Sequence, residues 1–184
     1  MEEKVDCLEY LSKEHGMIRA VSKILQEISR RISDGERVEA GDVGKMMTVL
    51  EGIEKCHRIE EDQVLFQLKA RSRSFEEPIK ELLAEHDKAR EIFKEMRAGL
   101  ERWKVGGGAD AALSSRVSEY AASLAEHVRK EEIVFRNDDV RLLSPADHKD
   151  LVERFKKVEQ NILGPVSKGQ MAATVIELQN RLCG

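Results

Sequence analysis

The chain has 184 residues, enough for one domain with a sizeable core. Charged residues make up 36% of it and aromatics 4%, and the formal charge is -4 with both signs interspersed. That balance excludes a basic nucleic-acid-binding stripe, and no apolar run reaches the ~18–20 residues needed to cross a bilayer.

The opening stretch, MEEKVDCLEY, is acidic and lacks the basic-then-apolar order of a secretory leader. Cys7, Cys56 and Cys183 are odd in number and spaced like neither a disulfide framework nor a zinc finger. They are expected to be ordinary thiols in a reducing compartment, so the expected location is the cytoplasm.

Four long amphipathic segments follow one another. The first is predicted from an N-cap at Asp6 to Ser33, where SDGE breaks it. The second follows Asp42 and ends near RSRSF. The third begins around Pro78, a residue suited to a first helical turn, and stops at VGGG, residues 105–108. The fourth runs from Asp110 to about Arg136. At about 25 residues each, these segments are roughly 37 Å long. Short connections make neighbours antiparallel, so the expected class is all-α: an up-down-up-down four-helix bundle.

Beyond it, Ser144 reads as an N-cap and Pro145 as the first residue of a fifth helix reaching about Leu163. Gly164 and Pro165 end that helix, and a sixth is expected over Lys168–Leu182. The expected organisation is a bundle over residues 1–140 with a helical extension over 141–184 packed on it.

Stepping through each helix by threes and fours gives its buried stripe. Helix one supplies Leu8, Leu11, His15, Ile18, Leu25 and Ile32. Helix two supplies Val43, Met46, Leu50, Ile53, His57, Glu61, Val64 and Leu68. Helix three gives Ile79, Leu82, His86, Ala89, Phe93, Met96, Leu100 and Trp103; helix four gives Leu113, Val117, Tyr120, Leu124, His127, Glu131 and Val134. Every stripe contains a histidine, and two add a glutamate one turn on. The pattern repeats along the chain: His15 to His86 spans 71 residues, while His57 to His127 and Glu61 to Glu131 each span 70. KEHGMIRAV, at 13–21, is echoed by AEHDKAREI, at 84–92. Two matched hairpins would bring all six groups together in the core.

Six buried polar groups without partners are unfavourable, at about 1–3 kcal/mol each and far more for a bare carboxylate. Divalent cations resolve this, because imidazoles and carboxylates lend them lone pairs. Four histidines and two carboxylates exceed the needs of one tetrahedral zinc and suit two octahedral ions, with glutamates bridging and two histidines on each. Mixed nitrogen and oxygen ligation without thiolate suits iron, with manganese or zinc as alternatives. Each ion would keep an open position for a small molecule. A ferritin-type site is rejected, since it needs Glu-x-x-His, the reverse order at a different step.

The set His15, His57–Glu61, His86 and His127–Glu131 resembles the hemerythrin-like, or HHE cation-binding, family over about residues 6–136. The resemblance implies a non-haem centre of two iron ions, with or without an oxo or hydroxo bridge, in which the glutamates bridge and the histidines are terminal ligands. The oxygen-carrying hemerythrins have a second histidine on helix three, where this chain has Arg90, and an aspartate five residues after the last histidine, where here the step to Glu131 is four. That difference speaks against simple reversible oxygen carriage and favours relatives that sense iron and oxygen or repair iron centres.

The expected ligand is O2, NO or peroxide, taken up for sensing, scavenging or storage. The alternatives are a di-iron enzyme or repair factor and a structural zinc or manganese bundle. Neither nucleic acid nor membrane is expected as a partner, and the protein is expected to be a monomer or homodimer. Among neighbouring residues, Glu132 is an alternative to Glu131. Glu60 and Asp62 are expected in solvent, His148 on the surface, and Tyr120, Trp103, Met46 and Met47 in the core. Cys56 points about 100° away from His57 and is not expected to be a ligand.

Overall fold

The computed structural model describes residues 6–136, 141–162 and 167–184, and among them every regular element is helical. Helix α1, Cys7–Ser33, begins where the Asp6 carboxylate accepts hydrogen bonds from the backbone N–H groups of Leu8 and Glu9. A continuous rod follows, made of α2 (Ala40–Gly52), a π turn (Ile53–His57) and α3 (Arg58–Arg71). After a single 3-10 turn, Arg73–Phe75, comes α4, Glu76–Arg102. Helix α5, Ala111–Phe135, is capped by Asp110, which accepts from the Leu113 N–H at 2.7 Å. Helices α6 (Pro145–Ile162) and α7 (Lys168–Leu182) complete the chain. The ends expected for the fifth helix, Leu163, Gly164 and Pro165, lie outside the described residues, as does the start of the chain.

One start differs from expectation. The second rod begins at Ala40, before Asp42 and not after it; Asp42 is buried within the first turn and pairs with Arg181 of α7. Helix α4 begins two residues before Pro78, which still falls in the first turn, where its missing N–H is no loss. At the other end of α4, Gly106 and Gly108 have φ of 102° and 71°, left-handed conformations that glycine adopts without strain and that turn the chain into α5. Trp103, expected in the core, lies in this turn and is only partly buried. Leu8 and Ile32 are likewise only partly buried, because they sit at the ends of α1.

Side-chain contacts fix how the rods run. Helix α1 lies antiparallel to α5: Ser22 Oγ donates to the Ala121 carbonyl at 2.8 Å and Ser29 Oγ to the Ser114 carbonyl at 2.9 Å. Helix α4 is antiparallel to α5, with Gly99 so close to Leu113 that a Cβ there would come within 3.0 Å of it. The α2–α3 rod is antiparallel to α4, as Arg97 pairs with Glu51 at one end and Asp62 meets His86 further along.

The apolar interior falls into two clusters. One holds Ile18, Leu25, Met46, Leu50, Met96, Val117 and Leu124, with Met171, Val175 and Leu178 of α7 laid against it. The other holds Leu11, Val64, Leu68, Ile79, Leu82 and Val134, closed by Leu151, Val152 and Phe155 of α6. Both C-terminal helices therefore lie along α1 and the α2–α3 rod. Among the described residues no helix is long and apolar enough to cross a membrane.

The cap that starts α5 gives a local prediction. Asp110→Ala should lower stability by about 1 kcal/mol, as loss of an N-cap acceptor typically does. Urea denaturation with an unchanged slope and a lower midpoint is the expected result; an unchanged midpoint means the cap contributes nothing.

Candidate metal centre

Between the two apolar clusters lies a polar layer. His15 follows Leu11 by one turn and precedes Ile18; the other three histidines sit at the same level on their own rods. A step of four residues places Glu61 under His57 and Glu131 under His127 on one helix face. All six side chains are buried, none more than 3% exposed.

They gather as two groups of donor atoms, each within 4.8 Å of one another: His15, His57, Glu61 and Glu131 in one, Glu61, His86 and His127 in the other. Glu61 belongs to both. Its Oε1 is 2.7 Å from His57 Nε2, while its Oε2 is 3.2 Å from His86 Nε2 and 3.7 Å from His127 Nε2. Glu131 Oε2 is 3.1 Å from His15 Nε2, and Glu131 does not enter the second group. The structure thus gathers all six predicted residues. It gives Glu61 a spanning position that Glu131 does not share.

Each histidine turns its other ring nitrogen outward to a carboxylate. His57 Nδ1 is 2.6 Å from Glu14, His86 Nδ1 is 2.9 Å from Asp62, and His127 Nδ1 is 2.9 Å from Glu85. His15 Nδ1 is 3.4 Å from Glu132, a looser contact. An ionised carboxylate only accepts, so the proton of each ring belongs on Nδ1 and each Nε2 directs a lone pair inward. This is how metal-ligating histidines are held elsewhere. Cations in turn hold three of the carboxylates: Lys168 pairs with Glu14, Lys130 with Glu85 at 2.5 Å, and Arg19 with Glu132. His127 and Lys130 keep the Glu85 carboxyl down at about 2.

Whether this set fits metal ions is decided by its unpaired atoms. His15 Nε2, His57 Nε2 and both oxygens of Glu61 and Glu131 are inaccessible and have no hydrogen-bond partner. His57 Nε2 and Glu61 Oε1 touch as two acceptors, and the Nε2 atoms of His86 and His127 are 3.0 Å apart. Lone pairs facing at such distances need a cation between them. Burial pushes the Glu131 carboxyl well above its usual range, and the adjacent Glu61 carboxylate adds to this. For His57, burial opposes the charged ring, but Glu61 and Glu14 outweigh it and hold the ring at about 10; without a metal ion a proton is drawn to the same place. By this count the residues fit a metal pair.

The outer carboxylates were the part the sequence reading missed, yet they carried a signal. Glu14 and Glu85 each precede a helix-one or helix-three histidine at the 71-residue offset; Asp62 and Glu132 each follow a seam glutamate at the 70-residue offset. Asp62, expected in solvent, is partly buried and meets His86 Nδ1. Glu132 contacts the outer nitrogen of His15, on the side away from the cluster, so its contact differs from that of Glu131. Glu60 also departs from expectation: it is fully buried, held by Lys168 at 2.9 Å and by the Cys56 thiol at 3.2 Å. It is covered because α6 packs along α3 and Lys168, the first residue of α7, reaches over that face. Cys56 is outside the six-residue cluster, as expected.

His148 is not a surface residue. It is half-buried, with Nδ1 accepting from the Cys7 N–H at 3.2 Å, and it takes no part in the six-residue cluster. Arg90, at the position of a fifth histidine, is exposed and pairs with Asp87.

One local feature had no sequence signal at all. The π turn, in which the Arg58 N–H reaches back to the Ile53 carbonyl, inserts an extra residue just before His57. Around it Cys56, His57, Arg58, Glu60 and Glu61 are all buried, far more than one helical stripe allows. Arg58 Nε donates to Glu54 at 2.8 Å, and the Tyr120 hydroxyl donates to the same oxygen at 2.5 Å.

Compared with models of known families, residues 7–136 match the hemerythrin HHE cation binding domain. No curated protein and no solved structure matches the chain.

Proposed function

This chain belongs to the hemerythrin HHE cation-binding family, and from that premise we propose that it is a non-haem di-iron protein that takes up a small ligand, O2, NO or peroxide. In this proposal His15, His57 and Glu131 would hold one ion, His86 and His127 the other, and Glu61, common to both donor groups, would serve both. The observation that carries it is the set of buried Nε2 and carboxylate atoms that have no donor. Iron is favoured over zinc because the donors are imidazole and carboxylate without thiolate, and because groups of four and three donors leave positions open on six-coordinate ions. When bound, an iron pair supplies open coordination positions and one-electron redox capacity.

The chain's own residues do the rest. The four outer carboxylates orient the rings and raise their basicity. The apolar clusters above and below exclude bulk water, which strengthens every charge interaction in the layer. The antiparallel pairings support an up-down-up-down four-helix bundle over residues 1–140, with 141–184 as an extension packed on it, and we place the protein in the cytoplasm.

Metal analysis of protein purified in air, followed by anaerobic titration with NO and O2, tests the proposal. Two iron ions per chain and a reversible change in the visible spectrum are expected. Zinc alone, with no visible absorption, would overturn it in favour of a structural role. Sustained turnover of peroxide would move it to an enzyme.

A further inference from the structure

One side chain of the C-terminal extension reaches the outer edge of the polar layer. Lys168 is the first residue of α7, just inside the capping box formed by Ser167 and Gln170. A positive charge there opposes the helix macrodipole, which favours carboxylates in a first turn. The helix itself gives no reason for a lysine at this position, but its surroundings do. The ammonium pairs with Glu14 of α1, with Glu60 of α3 at 2.9 Å and with Glu159 of α6 at 2.8 Å. It also lies 5.0 Å from the centre of the Tyr10 ring.

Two of these contacts lead to the donor cluster. Glu14 is shared: one oxygen takes Lys168, and the other lies 2.6 Å from Nδ1 of His57. Between the inward-facing Nε2 of His57 and the start of α7 there is thus one imidazole and one carboxylate. Glu60 is fully buried in the first turn of α3 and directly precedes Glu61, the donor common to both groups. Helix α7 has 15 residues, marginal for an isolated helix, so its order depends on docking. At its other end Arg181 pairs with Asp42, about 22 Å along the rod from His57.

We propose, on the metal reading above, that Lys168 is a positioning residue of the metal centre supplied by the C-terminal extension, so that docking of α7 and filling of the polar layer are coupled. A ring fixed at Nε2 holds Nδ1, and so Glu14, in one place. Glu14 held there presents its second oxygen to Lys168. Such coupling is reciprocal: the factor by which a filled layer tightens α7 is the factor by which docked α7 tightens metal binding. The extension is then the part of the chain that reports whether the layer is filled.

Anaerobic ferrous iron is the probe, with two readouts on the full chain. Iron affinity is measured by competition with a chromophoric chelator, and amide exchange is followed in α7 from Met171 onward, with and without iron. In wild type, iron should slow α7 exchange by about fivefold or more, the lower end of typical couplings. Lys168→Met should weaken iron binding by a similar factor, and its α7 should exchange at one rate whether or not iron is present. Lys168→Arg, which keeps the charge, should retain both effects. Arg181→Met frees the far end of α7 and leaves Lys168 in place, so iron affinity should stay within about twofold of wild type. A lysine with only a packing role would slow α7 exchange by the same factor with and without iron, and that result overturns the proposal. So does wild-type iron affinity in Lys168→Met, or an equal loss of affinity in Arg181→Met. If Lys168→Met does not fold, Lys168→Met combined with Glu159→Gln, which leaves one carboxylate fewer around the missing ammonium, is measured in its place. Wild type that binds no iron overturns the metal reading itself; wild type that binds iron while α7 exchange stays unchanged overturns only the coupling.

Discussion

Glu61→Ala should abolish metal retention, while Glu131→Ala should leave one ion of two. Glu61 is the residue common to both donor groups, with one oxygen directed to His57 and the other to His86 and His127. Without it each group loses its shared anionic donor, and the charge of two cations in a buried layer is no longer offset. Glu131 belongs only to the group of His15 and His57, so its loss leaves Glu61, His86 and His127 intact. The expected readout is metal per chain by elemental analysis: two for wild type, one for the Glu131 variant, near none for the Glu61 variant. A second measurement guards against simple misfolding. In metal-free protein the Glu61 substitution removes a buried charge and should leave the melting temperature equal or higher, whereas in iron-loaded protein it should lower it. Full metal content in the Glu61 variant would end the bridging assignment.

The candidate site was legible because histidines and glutamates interrupt a helical stripe in a way that spacing reveals. Leu11, His15, Ile18 and Ile53, His57, Glu61, Val64 each read as unbroken buried ladders, and all these side chains are buried. The expected cap Asp6 is where α1 begins, and the expected start of the fourth segment, Asp110, is the residue that caps α5. The second segment, expected to follow Asp42, starts before it, and Asp42 is buried against a residue 139 positions away, Arg181. Glu60 is buried in the same way: Lys168 of α7 covers a face that helix periodicity alone assigns to solvent. The π turn before His57 was unreadable, since periodic stepping assumes a constant pitch and a single inserted residue leaves no mark in composition. Arg58 was hidden with it. The outer carboxylates stood in plain view at the repeat offsets, but stripe counting discards residues next to a seam, and it takes the facing helix to show that Glu14 reaches His57 and Glu85 reaches His127.

Removing the metal should destabilise the whole molecule, by an amount set by linkage. A ligand that binds only the folded state adds about 4 kcal/mol when present at roughly a thousand times its dissociation constant. For a chain of this size that corresponds to a drop on the order of 10 °C in melting temperature on stripping with a chelator under reducing conditions, recovered on reloading with ferrous iron. The sign follows from the layer's position. The polar groups separate two apolar clusters, so their mutual repulsion is felt by both, and neither cluster can relax into the other without burying unpaired carboxylates. In the stripped protein protons must stand in for the metal: one is drawn to His57 against Glu61, and burial with the adjacent Glu61 carboxylate pushes the Glu131 carboxyl well up, so the layer is held together less well than by a metal. Opening should therefore begin at the π turn and the first turns of α3, and amide exchange there should rise most when metal is withdrawn. Amides of α5 near Ser114, held to α1 by the Ser29 hydroxyl, should change least. Equal melting temperatures for stripped and loaded protein would mean that the layer satisfies itself without a cation, and the case for a metal centre would fall with that result.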